Sequence, residues 1–226
     1  MKLVQRVDFI KHICAGRKVL HLGCTNWPYT WESIDANSLL HFELEKTASE
    51  LYGFDFDQPG LDILAEAGGK NLFRADLEKL DEVPLDETFD VIIAGEMIEH
   101  LSNPGLFLKG IQRFMTPATN LIITTINAYS GMRFAIYGLR GKGGLNEPVH
   151  PDHVAYYSFR TLSLLLKRAN LDISEFCFYD LGPEHRPSSP WYYNFINDIC
   201  VKFSPQLSDG VIAVCRLPGT EVKSSS

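Results

Sequence analysis

Apolar runs alternate along the chain with segments whose apolar positions recur at helical spacing. Residues 17–23 (RKVLHLG), 51–56 (LYGFDF), 71–76 (NLFRAD), 89–95 (FDVIIAG), 120–126 (NLIITTI), 171–180 and 210–217 read as strands. Residues 38–50, 59–68, 104–114 and 160–170 read as helices. The runs at 89–95 and 120–126 are nearly continuous, as in strands covered on both faces. Strands joined through helices require right-handed crossovers and parallel pairing. The pattern therefore predicts an α/β fold with a doubly wound, mostly parallel, seven-stranded sheet and helices on both faces. The last strand follows a long connection and is free to enter antiparallel.

The chain has 226 residues, enough for one large core, and the expected organisation is a single domain over 1–218 with a flexible tail at 219–226. Two connections exceed ordinary loop length, 127–157 and 181–208. The first contains Gly138, Gly141, Gly143 and Gly144 and reads as a lid over an acceptor site. Its Arg133, Arg140 and Lys142 suit an anionic acceptor. The second contains the aromatic stretch 188–203, which suits the pocket wall, core packing or pairing with another subunit, so a homo-oligomer is one expectation.

Composition narrows the classes. The net charge is −7 with no basic run, which argues against a nucleic-acid partner. Five scattered cysteines without a CxxC pair suggest neither a disulfide framework nor a zinc ribbon, and reduced thiols point to a cytoplasmic location. Asp8, Lys11 and His12 interrupt the N-terminal apolar run, so no secretory leader is read there, and no stretch is long enough to span a membrane.

In a doubly wound sheet, ligands sit beyond the carboxyl ends of the strands. Gly23, after the first strand, lets backbone pass close to a ligand. Asp55, after the second, is placed to accept bonds from a ribose diol. Asp76, after the third, is placed to accept from an adenine amino group, with Leu77 over the ring. The segment GCTNWP lacks the glycines that seat a pyrophosphate, which argues against a nicotinamide-dependent oxidoreductase. A nucleoside-binding protein without catalysis is a further alternative.

The segments VLHLGCTNW (19–27), GFDFD, RADLEKL and FDVIIAGEMIEHLSNPGLFL together resemble the class I S-adenosylmethionine-dependent methyltransferases. The resemblance runs from about Arg17 to Asp180. It implies a Rossmann-like sheet, S-adenosyl-L-methionine as cofactor and a small-molecule methyl acceptor. It lays His21, Gly23, Cys24, Thr25, Asp55, Phe56, Asp76, Leu77, Gly95 and Glu96 along the cofactor. His21 stands where the family commonly has an acid that holds the cofactor's methionine amine, and Thr25 replaces a glycine.

Glu96, Glu99 and His100 crowd the exit of the fourth strand. As one helical turn they would share a face by i, i+3, i+4 spacing, and helix capping would account for them. Two carboxylates so close otherwise call for a proton or a cation between them. His153, in EPVHPDHVAYYS after the fifth strand, completes a mixed oxygen and nitrogen donor set. The pattern is similar to metal-dependent small-RNA 2′-O-methyltransferases and ubiquinone-pathway O-methyltransferases. That similarity implies Mg²⁺ or Mn²⁺ on Glu96, Glu99, His100 and His153. Without a metal, His100 or His153 is the candidate general base, beside Glu99. The expected reaction is O-methylation of a small polar or anionic acceptor such as a sugar or sugar phosphate.

Overall fold

A computed structural model describes residues 1–139, 153–182, 186–187 and 189–219. In chain order the elements are β1 (Lys2–Val4), α1 (Arg6–Cys14), β2 (Lys18–Leu22), α2 (Thr30–Asp35), α3 (Leu40–Glu45), β3 (Glu50–Asp55), α4 (Gln58–Glu66) and β4 (Leu72–Arg74). They continue with β5 (Phe89–Gly95), α5 (Pro104–Gly110), β6 (Met115–Ile126), α6 (Gly131–Arg133), α7 (Phe159–Arg168), β7 (Asp172–Tyr179), α8 (Trp191–Phe203) and β8 (Gly210–Arg216). The sheet order is β1-β7-β8-β6-β5-β2-β3-β4. Neighbours are parallel except β8, which runs antiparallel to β6 and β7.

The sheet has eight strands, one more than the pattern predicts. The addition is β1, paired with β7. Three residues show no usable alternation, and the strand exists through its partner. The helix expected at 38–50 shrinks to Leu40–Glu45, and α5 passes into a 3₁₀ turn over Ile111–Phe114. Helix α1 follows β1 directly and was not foreseen.

Alternation along the central strands divides the core by face. Leu20, Leu22, Ile92, Ala94, Leu121 and Ile123 pack on one side with Phe107 and Leu108 of α5 and Leu162 and Leu166 of α7. Val19, Val91, Ile93 and Ile122 pack on the other with Ile10 and Cys14 of α1 and Leu44 of α3. Local chemistry starts the helices where the strands release the chain. Asp57 caps α4 by accepting from the Gly60 N–H, and Asn103 caps α5 at the Leu106 N–H. Ser158 and Thr161 form a reciprocal capping box on α7.

The expected lid falls partly outside the described residues: Arg140, Gly141, Lys142, Gly143 and Gly144 lie there. Its described start holds α6, followed by a π-turn over Phe134–Gly138. Of the expected tail, residues 220–226 also lie outside the described residues. Among the described residues no helix is long and apolar enough to cross a membrane.

Candidate active site

The exits of β2, β3, β5 and β6 meet at one end of the sheet. After β2, Gly23 takes φ +69°, a left-handed conformation that glycine adopts without strain. The N–H groups of Gly23 and Cys24 donate to the Phe54 carbonyl at 2.8 and 3.3 Å. Asp55 then fixes the loop. Its Oδ2 accepts from the Thr25 backbone N–H and hydroxyl, both at 2.9 Å, and its Oδ1 accepts from the Asp57 N–H at 3.0 Å. Oδ2 is filled by its two bonds, whereas Oδ1 accepts one and keeps a site for a ribose hydroxyl. Asp55 lines a cleft of about 450 Å³ with Trp27, Phe56, Pro59 and Arg74. The Arg74 guanidinium lies 4.8 Å from the centre of the exposed Phe56 ring. Trp27 and Arg74 carried no signal in the sequence.

The other expected cofactor residues have defined places. Asp76 accepts from the Glu78 N–H at 3.0 Å and pairs with Lys79 at 3.3 Å, and Leu77 is partly buried against the core. Cys24 is buried, which pushes its thiol pKa up. His21 lies on the α1 and α3 side, 3% exposed, with its Nδ1 3.3 Å from Nδ1 of His41. Burial first, then His41, then the Arg6 charge hold its pKa well below normal. The contact is a hydrogen bond only if one Nδ1 carries a proton and the other accepts. Both rings are therefore best placed as neutral imidazoles.

Arg6 is the cation that sequence reasoning missed. It projects from the start of α1 and sits 5.9 Å from the centre of the Tyr179 ring. A Cβ built on Gly95 would lie 3.9 Å from its guanidinium. Its charge lowers the pKa of His21, Glu99 and Tyr179 alike.

Beyond β5 the chain does not continue as one helical turn. Glu96 takes φ +52°, and a 3₁₀ turn begins only at Ile98. That break separates the two carboxylates and overturns the expected shared face. Glu96 accepts from the Thr124 hydroxyl at 3.1 Å and from the Tyr179 hydroxyl at 2.5 Å. Burial and the Glu96 charge push the Tyr179 pKa well up, which keeps the phenol a donor. Glu99 instead accepts from the Thr125 hydroxyl at 2.9 Å.

Glu99 is fully buried, and its second oxygen, Oε1, meets no hydrogen-bond partner among the described residues. Burial and then the Glu96 charge push its pKa up to about 8. The Glu99 carbonyl accepts from the Val154 N–H at 2.9 Å, which draws His153 alongside. The His100 and His153 rings meet edge to face with centres 4.5 Å apart. One donor atom from each of Glu99, His100 and His153 lies within 4.8 Å of the others, and Glu96 is not part of this group. A buried carboxylate with two imidazole nitrogens at that distance fits a divalent cation. The Arg133 guanidinium is held by Asp209, Nε to Oδ1 at 2.9 Å and Nη2 to Oδ2 at 3.4 Å.

Comparison with known proteins gives the family and the fold. A family model described as a methyltransferase domain matches residues 15–175. The ubiquinone biosynthesis O-methyltransferase of Hahella chejuensis is 25% identical over 186 residues, which is 75% of this chain and 70% of that one. A second enzyme of the same name is matched over 64% of its length. A SAM-dependent methyltransferase from Archaeoglobus fulgidus superposes with a TM-score of 0.56 at 17% identity, covering 93% of this chain and 94% of that one. The magnesium protoporphyrin IX methyltransferase of Synechocystis, solved with bound SAH, gives 0.56 at 13% identity over 93% of this chain and 81% of that one. The chain belongs to the methyltransferase-domain family and is a class I S-adenosylmethionine-dependent methyltransferase.

Proposed function

We propose that this methyltransferase moves the cofactor's methyl group to a hydroxyl oxygen of a small acceptor beside Glu99, His100 and His153, with a divalent cation held by those three side chains. The observation that carries the reading is that a buried Glu99 with one unpartnered oxygen brings a donor atom within 4.8 Å of one from each of His100 and His153. The ubiquinone-biosynthesis relatives are O-methyltransferases, which favours oxygen as the acceptor atom. Two nitrogens and one carboxylate suit Mn²⁺ better than Mg²⁺, which prefers oxygen ligands.

The methyl passes from the sulfonium sulfur to the acceptor oxygen by in-line displacement. Sulfur leaves as a thioether, and the hydroxyl proton must depart. When bound, the cation would lower the acceptor's pKa and hold its oxygen in place. The chain's own work is alignment and proton management. The cleft at Asp55 would hold the adenosine, with Asp55 on the ribose. Gly23 and Gly95 would let the methionine end pass close to backbone, and the Arg6 charge suits a carboxylate there. If no cation binds, His100 or His153 would take the proton.

A neutral hydroxyl compound such as a sugar is the acceptor class we favour, since Arg133 is committed to Asp209. Incubation with methyl-labelled S-adenosylmethionine against neutral sugars, sugar phosphates and hydroxylated aromatics tests this. Label should appear on oxygen, and first on neutral sugars. Label on nitrogen, or none in any series, would overturn the reading.

A further inference from the structure

Helix α8 is apolar on two sides. Its inner side packs through Tyr192, Tyr193 and Ile196 against Met132, Ile136 and Leu181. On the outer side Trp191, Phe195, Ile199 and Phe203 recur every fourth residue, and they are 77%, 57%, 54% and 87% exposed. That spacing makes one stripe about 18 Å long. Asp198, beside it, is turned to Arg186 at 2.7 Å and does not interrupt it. A helix that is apolar around its circumference is ordinarily a buried helix. Here half of that circumference faces solvent.

We infer that a second copy of this chain covers the stripe, α8 against α8. Area is the first reason. Aromatic side chains carry roughly 150–250 Å² each, so the exposed parts of the three rings together with Ile199 supply on the order of 500 Å² per copy. A standard interface takes about 800 Å² per partner, so the stripe alone supplies more than half of one. Symmetry is the second. About a two-fold axis near Asn197, antiparallel pairing sets Trp191 against the partner's Phe203 and Phe195 against the partner's Ile199. Rows at i±4 are also the ridges that interlock in the commonest helix packing. Chemistry is the third. The four positions bury no charge when paired with themselves. A lipid surface would instead favour flanking Lys and Arg, and Lys202 is the only basic residue of α8.

Sedimentation velocity of the full chain from low to high micromolar concentration is the test. The expected species has twice the 25.5 kDa chain mass. Phe195→Glu and, separately, Ile199→Lys should weaken the dimer at least about tenfold, with cofactor affinity by calorimetry unchanged. If one variant fails to bind cofactor, the other decides. An unmutated chain that stays monomeric throughout overturns the inference, as does a dimer indifferent to both substitutions. A monomer that floats with phosphatidylcholine–phosphatidylglycerol vesicles also overturns it and assigns the stripe to a lipid surface.

Discussion

Glu96 and Glu99, three residues apart in the chain, are held by adjacent hydroxyls that point to opposite faces of the sheet. Thr124 takes Glu96 toward the side of α1, where Tyr179 and Arg6 lie, and Thr125 takes Glu99 toward the side of α7. Successive strand residues alternate in direction, so one strand sorts the two acids. Among the described residues, Glu99 joins the histidines and Glu96 does not.

Glu96 should therefore be dispensable for metal binding. Mn²⁺ affinity, read by electron paramagnetic resonance, is expected to survive Glu96→Gln and Tyr179→Phe. Tyr179→Phe removes a bond to a charged acceptor and should lower stability by about 1.5–3 kcal/mol in urea titrations. Loss of Mn²⁺ in Glu96→Gln would make Glu96 a ligand after all.

Chelator should abolish methyl transfer and Mn²⁺ should restore it. Glu99→Gln, His100→Ala and His153→Ala should each behave like the chelated enzyme. If chelator does nothing while either histidine variant slows transfer by roughly 10²–10⁴, a histidine acts as a metal-free general base.

Asp55→Ala should weaken cofactor binding by roughly 2–4 kcal/mol, since it removes a charged acceptor. Thr25→Val separates loop anchoring from ribose contact, because it keeps the carboxylate and loses only the hydroxyl bond. Calorimetry on both variants should show the smaller loss for Thr25→Val. Equal losses would give Asp55 a role in holding the loop alone.

Glu99 gives the metal-free protein a defined pH dependence. Its folded pKa of about 8 lies above the ordinary 4.5, so the unfolded chain ionises first. Stability should fall as pH rises from about 4.5 and level off above about 8, with a total below about 5 kcal/mol. Glu99→Gln should flatten that fall, measured by denaturant unfolding at pH 5 and pH 9 with chelator present. The same slope in wild type and variant would remove Glu99 as its source.

Much of the fold was legible because burial on both faces forces long apolar strands, and five of the seven expected ones sit within a residue or so of their observed ends. The expected β4 loses residues at both ends, and β6 begins five residues earlier than the pattern indicated. Strand β1 was not legible, since three residues pair only because β7 is already in place. Arg6 was invisible for the same reason. Its importance comes from where α1 lands on the sheet, and nothing near it in sequence hints at Tyr179 or Gly95.

What the sequence determined by itself is the order of elements and the kinds of side chain at the strand exits: Gly23, Asp55, the two acids and one histidine of 96–100, and His153. Those follow from periodicity and local chemistry. Which of them act together was decided by tertiary structure. Glu96 was expected to share a face with Glu99, yet its left-handed backbone and the alternation of Thr124 and Thr125 part them. His153 stands fifty-three residues after His100, and a hydrogen bond from the Val154 N–H to the Glu99 carbonyl places it there. Helical spacing is a property of neighbours in sequence, whereas a donor set belongs to neighbours in space. At a sheet edge, where several strands end together, the second is fixed only when every strand has its register.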